Sequence, residues 1–119
     1  MKKVLTMISL LGLMSSAASA LDMAALERAM ANPDRPAEDK ERDASRKAPA
    51  VLDFMGVEPG MTVLDINASA GWYTEVLSYA VGANGKVYMQ NRPGGRSAEA
   101  AATRAVRLNN VDAWDGDVS

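Results

Sequence analysis

The sequence predicts an α/β protein built on a parallel sheet, and two observations carry that prediction. Met61 to Ile66 is a near-continuous apolar run with Asp65 its only acid, which suits a strand buried on both faces. After it come a helical segment, a second short strand, a second helix and a third candidate strand. Strands alternating with helices fold as right-handed βαβ units, which lay successive strands parallel.

The elements follow in chain order. Met23, Ala25, Leu26, Ala29 and Met30 fit a short amphipathic helix over 21–30, capped by Asp22 and stopped at Asn32-Pro33. Pro36 to Lys47 is dense in charge, has Pro at a first-turn position, and reads as a solvated helix or linker. Pro49 opens a further helix whose apolar side is Val51, Leu52, Phe54 and Met55, and Gly56 ends it. Glu58-Pro59-Gly60 turns the chain into the first strand. Beyond a small-residue stretch, Asn67 to Gly71, the recurrence of Val76, Leu77, Ala80 and Val81 predicts a helix over 72–81. Lys86 to Gln90 is the second strand. Ser97 caps an alanine-rich helix running to about Leu108, with Glu99 in its first turn and Arg104 and Arg107 in its last. Val111 to Trp114 is the third strand.

The N-terminus has its own signature. Lys2 and Lys3, an apolar run from Val4 to Met14 and the small residues Ala18-Ser19-Ala20 match a cleaved signal peptide over 1–20, and the apolar run is too short for a membrane span. The expected protein is therefore exported, periplasmic or secreted, with no stable span after cleavage. Removing 20 of the 119 residues takes away two lysines and no acid, so the formal charge moves from −2 to −4. A mildly acidic chain lacks the clustered basic excess that nucleic-acid binding requires. Cysteine and histidine are both absent, which excludes disulfides, a thiol nucleophile, an imidazole base and an ordinary zinc site. The arginines Arg92, Arg96, Arg104 and Arg107 read as a solvated face.

Parallel sheets bind ligands at the carboxyl ends of their strands. Three segments fall there: Asp65 to Gly71, Gln90-Asn91 and Gly116-Asp117. The first opens on Gly56-Val57-Glu58-Pro59-Gly60-Met61-Thr62-Val63-Leu64-Asp65, then Asn67-Ala68-Ser69-Ala70-Gly71-Trp72-Tyr73, and the second closes Gly85-Lys86-Val87-Tyr88-Met89-Gln90-Asn91. This ordered set resembles class I S-adenosylmethionine-dependent methyltransferases, in particular predicted exported ones, over most of 42–91 and more loosely 110–117.

The resemblance implies a partial Rossmann-like, doubly wound sheet, the strand 3-2-1 half of a 3-2-1-4-5-7-6 order, over 57–119, preceded by a helical segment over 21–56. It implies a truncated chain in which strand 4 is missing and the first strand has an unpaired edge. The implied cofactor is S-adenosyl-L-methionine, a small-molecule partner. Its methionine end falls to Asp65, Asn67, Ala68, Ser69 and Gly71, its ribose hydroxyls to the amide oxygens of Gln90 and Asn91, and its adenine amino group to Asp117. The family pattern has glycine at alternate loop positions, whereas two of the three here are Asn67 and Ser69. Asn tolerates left-handed dihedrals, but the Ser69 Cβ enters space that glycine leaves to the ligand. No catalytic residue is implied, because the wall that positions the methyl acceptor lies beyond these strands. An alternative is a non-catalytic exported binding or structural protein derived from this fold. A nicotinamide-dinucleotide site fits less well, since the second strand ends without an acid and the loop lacks glycines.

Overall fold

The computed structural model describes residues 20–118. The expected signal peptide thus lies outside the described residues, Ala20 apart. Three helices come first, α1 (Met23–Met30), α2 (Ala37–Arg46) and α3 (Ala48–Met55). They are followed by β1 (Thr62–Asp65), α4 (Trp72–Val81), β2 (Lys86–Asn91), α5 (Ala98–Arg107) and β3 (Val111–Asp115). The sheet is parallel throughout, in the order β1-β2-β3, with Val63 beside Val87 and Val87 beside Val111. This is the predicted α/β class and the predicted half-sheet.

Local chemistry sets the boundaries. Asp22 accepts a hydrogen bond from the Ala25 N–H at 3.0 Å and so starts α1. Gly56 closes α3 at φ +79°, a conformation glycine adopts without strain. The Asn110 side chain donates to the Ser78 and Gly82 carbonyls at 2.8 and 2.9 Å, a second bond to each beside those from the Gly82 and Gly85 N–H groups, and so ties the end of α4 to the start of β3.

Leu26 and Met30 of α1, Leu52 of α3, Val76, Leu77 and Val81 of α4, and Val87, Met89 and Val111 of the sheet form one continuous core. Right-handed crossovers put α4 and α5 on the same face of the sheet. No described helix covers the other face, where Leu64, Tyr88 and Trp114 are 46%, 40% and 44% exposed. The expectation that the first strand is buried on both faces therefore fails. Val63 points into the core while Leu64 and Ile66 stay open, and β1 is paired on one edge only.

A second departure concerns α3. Its buried stripe is Ala48, Pro49 and Leu52, and Phe54 is 91% exposed. Phe54 lies two residues from Leu52, about 200° around the helix, so both cannot face the core.

The largest departure is α2, expected to be solvated. Its sequence, AEDKERDASR, has no apolar side chain larger than Ala, yet Asp39 is buried. Arg104 of α5, expected on a solvated face, is buried against it: Nη1 lies 2.7 Å from Asp39 Oδ2 and 2.5 Å from Glu75 Oε1 of α4. Arg107 also meets Glu75, with Nη2 2.5 Å from Oε1 and Nη1 2.9 Å from Oε2, and the Tyr79 hydroxyl donates to the same carboxylate. Just before α2, buried Arg35 grips Asp43 with both Nη atoms, at 2.6 and 2.9 Å. The Trp72 indole N–H donates to the Asp39 carbonyl at 3.0 Å. Charge, not apolar area, seats α2.

Burial alone would raise the Glu75 pKa, but hydrogen bonds from Arg107 and Tyr79, the Arg107 charge and a hydrogen bond from Arg104 outweigh it, leaving it below the ordinary 4.5. The folded chain therefore binds fewer protons here than the unfolded one. This stabilisation is complete above pH 4.5 and is lost as pH falls through the depressed folded value. The melting midpoint, followed by circular dichroism, should drop below pH 4.5, and less steeply in Glu75→Gln. At neutral pH, Glu75→Ala leaves two guanidinium groups without their shared acceptor and should cost about 3–5 kcal/mol in urea denaturation.

Candidate functional site

Between β1 and α4 the chain must leave the sheet edge and turn down into a helix within a few residues. It does so with left-handed backbone at alternate positions, φ +56° at Asn67, +58° at Ser69 and +90° at Gly71. The spacing matches the glycines of the resemblance, with two of them replaced. At Gly71, φ +90° strains any residue with a Cβ, and a Cβ there would stand 2.5 Å from Met89 Cε and 2.9 Å from Arg104 Cδ, so the buried Met89 and Arg104 side chains would have to shift.

Left-handed dihedrals cost a residue with a Cβ roughly 1–2 kcal/mol, less for Asn, so the loop needs braces. The end of β2 provides them. Asn67 N–H donates to Gln90 Oε1 at 2.8 Å and Ala68 N–H to the Gln90 carbonyl at 2.9 Å. Ser69 N–H donates to Asn91 Oδ1 at 2.7 Å, and Asn91 Nδ2 donates back to the Ser69 carbonyl at 2.9 Å. Asn91 thus holds both backbone groups of Ser69, much as a neighbouring strand would. Gln90 Nε2 reaches the Gly116 carbonyl at 2.5 Å, and Ser69 Oγ lies 3.1 Å from Ser97 Oγ. Ser97 occupies the start of α5 as predicted, but its hydroxyl meets the loop and not the helix N–H groups.

Arg104 adds a further brace, its Nε donating to the Ala70 carbonyl at 2.7 Å. The buried charges that seat α2 therefore also hold the loop. Asp39, Glu75 and Arg104 were invisible to sequence reasoning as a group, since the partners lie 29 and 65 residues apart. The one local sign was an acid, Glu75, the single charged residue of its helix.

Two cavities flank the loop and share Asn67 and Ser69. One, about 340 Å³, lies between the loop and α2, with Asp65, Arg42, Arg46 and Trp72 in its walls. The other, about 200 Å³, is walled by Asn91, residues 94–98 and Asp115. A larger hollow, about 690 Å³, belongs to the helical layer between α1, α2 and α3, with Met23, Met30 and Pro49 in its walls and no strand-end residue.

The sequence-predicted residues divide accordingly. Asp65, Asn67, Ala68 and Ser69 line the first cavity, and Gly71 closes the loop beneath it. Gln90 is 2% exposed and lines neither cavity, whereas Asn91 lines the second; the amide oxygens of both accept from the loop. Asp117 lines neither cavity; its side chain is 69% exposed and its Oδ1 lies 3.5 Å from Arg92 Nε. The acid that reaches the second cavity is Asp115, the last residue of β3 and two positions earlier.

Burial raises the Asp65 pKa above its ordinary 3.8, offset in part by a hydrogen bond from Thr74 Oγ1 at 2.7 Å. Its carboxylate has no cationic partner among the described residues. The first N–H groups of α4, from Trp72 to Thr74, precede any intrahelical acceptor, and Trp72 and Tyr73 line the same cavity.

The parallel half-sheet, its crossovers on one face and the braced loop at its carboxyl edge make this a methyltransferase-like α/β fold. The chain is similar to a SAM-dependent methyltransferase from Aquifex aeolicus, 28% identical with a TM-score of 0.58, over 81% of this chain and 47% of that one. It is also similar to a protein-L-isoaspartate O-methyltransferase, 28% identical with a TM-score of 0.54, over 61% of this chain and 23% of the other. It thus spans about half, or less, of the length of these solved structures. No protein-family model and no curated protein sequence matches it.

Because its folded pKa is raised, Asp65 stabilises the fold only while protonated; that contribution is complete below pH 3.8 and is lost as pH rises through the folded value. At pH 7 the ionised carboxylate works against folding. Asp65→Asn keeps an oxygen for Thr74 and removes the charge, so calorimetry should find a higher midpoint than wild type at pH 7, with the difference closing toward pH 3.8.

Proposed function

We propose that this chain is the S-adenosylmethionine-binding portion of an exported methyltransferase, working in the periplasm or outside the cell. The observation that carries this reading is the loop: left-handed backbone at Asn67, Ser69 and Gly71, directly after a strand-end acid, in a fold shared with two methyltransferases. Left-handed backbone at alternate positions lets the main chain approach a ligand closely, which is the use this reading gives it.

In this reading Asp65 receives the ammonium of the methionine end, and the start of α4 receives its carboxylate through N–H groups and the helix dipole. The second cavity, beside Asn91 and Asp115, takes the nucleoside. The cofactor supplies a methyl group on a sulfonium, already a good leaving group. Transfer then depends on alignment of acceptor, methyl carbon and sulfur, not on an acid or base from the protein. The residues assigned here bind and orient, and none is assigned a catalytic role.

A second reading has its own observation. The loop N–H groups of Asn67, Ala68 and Ser69 are all taken by Gln90 and Asn91, which favours a non-catalytic exported binding protein that retains the fold. Thermal unfolding of the purified chain separates the two. S-adenosylhomocysteine at 100 times its dissociation constant stabilises a one-site binder by about 2.7 kcal/mol, so the first reading predicts a midpoint several degrees higher. A cooperative melt that the ligand does not move favours the second.

A further inference from the structure

We propose that α2 supplies a carboxylate clamp to the cleft: Arg42 and Arg46 receive the α-carboxylate of a bound amino-acid moiety whose ammonium sits at Asp65. The inference rests on the cofactor reading above and adds to it two residues from outside the sheet and its loop.

Asp39, Arg42 and Arg46 are spaced by three and four residues and so share one face of α2. Asp39 is the anchor of that face, held by Arg104 through its side chain and by the Trp72 indole N–H through its carbonyl. With the anchor fixed, Arg42 and Arg46 line the same cavity as Asp65. Arg46 is held further, its guanidinium 4.6 Å from the centre of the Trp72 ring. Trp72 is the first residue of α4, so that guanidinium stands beside the helix N-terminus and its unpaired N–H groups.

The charges in the cavity wall do not cancel. Asp39 and Arg104 are paired, with Glu75 and Arg107 completing that network. Among the described residues Asp65, Arg42 and Arg46 form no ion pair, so one anion and two cations remain uncompensated in the same cavity. An α-amino-acid zwitterion meets that pattern at both ends. A phosphate would satisfy the arginines but set an anion against Asp65. With the loop N–H groups of Asn67, Ala68 and Ser69 taken by Gln90 and Asn91, the carboxylate is left the first N–H groups of α4, and the guanidinium groups beside them supply the remaining donors. A guanidinium offers two parallel donors to a carboxylate, the strongest replacement among side chains.

The test is calorimetric titration of the chain, of Arg42→Gln and of Arg42→Gln/Arg46→Gln with two ligands. S-adenosylhomocysteine carries the amino-acid moiety; 5′-methylthioadenosine has the same nucleoside and thioether without it. The expected result is a loss of about tenfold or more in S-adenosylhomocysteine affinity for the double variant, with 5′-methylthioadenosine affinity unchanged. Arg42→Gln removes an exposed side chain and leaves the Trp72 contact intact, so its smaller loss for the first ligand alone guards against a folding artefact. Equal weakening of both ligands, or no change for S-adenosylhomocysteine, overturns the clamp while leaving the cofactor reading in place. Failure of wild type to bind S-adenosylhomocysteine overturns both.

Discussion

A carboxylate with no solvent exposure, Glu75, sits where α4, α5 and α2 converge, and the structure around it follows from keeping that charge satisfied. An unpaired ion in such a place would cost several kcal/mol. Arg104 and Arg107 answer it from α5, and Arg104 turns one nitrogen to Asp39 and another to the Ala70 carbonyl. One guanidinium therefore fixes three things: the angle of α5, the seat of a helix with no apolar face, and the exit of the loop above β1. Apolar packing would hold α4 and α5 against the sheet equally well, but it could not attach AEDKERDASR to anything. Buried charge supplies direction here more than net stability.

The same arrangement explains why the cleft has the walls it has. Its floor is a strand end and a loop held in left-handed backbone by the side chains of Gln90 and Asn91. Its far wall is α2, a polar element that brings two guanidinium groups, Arg42 and Arg46, which form no ion pair among the described residues. Asp65, raised by burial and lacking a counter-charge, is a local cost to folding that packing alone does not explain. Desolvated and strained groups gathered in one place are the features that cluster at functional sites, and the proposed cofactor reading rests on them.

Much of the fold was legible because its signals are local. Asp22, Gly56 and the apolar runs at 61–66 and 76–81 mark element ends and types within a few residues of where they act. The left-handed loop was legible in part, through the resemblance's alternating glycines and the tolerance of Asn67, whereas left-handed backbone at Ser69 was not. The burial of Arg104 was not, since an alanine-rich helix ending in arginines looks the same whether an acid 29 residues earlier faces it or not. Nor was the role of Gln90 and Asn91 as braces, which depends on how close β2 ends to the loop. β1 looked buried on both faces because its composition reports what the strand can tolerate, while Leu64 and Tyr88 show which face the described helices leave open.

The central claim is that buried charge, not apolar contact, holds α2 against the sheet layer and so builds the cleft. A double-mutant cycle between Asp39→Ala and Arg104→Ala, read as unfolding free energies in urea, tests it most directly. Strong non-additivity, a coupling above about 1 kcal/mol, is the predicted result. Additivity within about 0.3–0.5 kcal/mol would mean that the two residues act independently and that something else seats the helix.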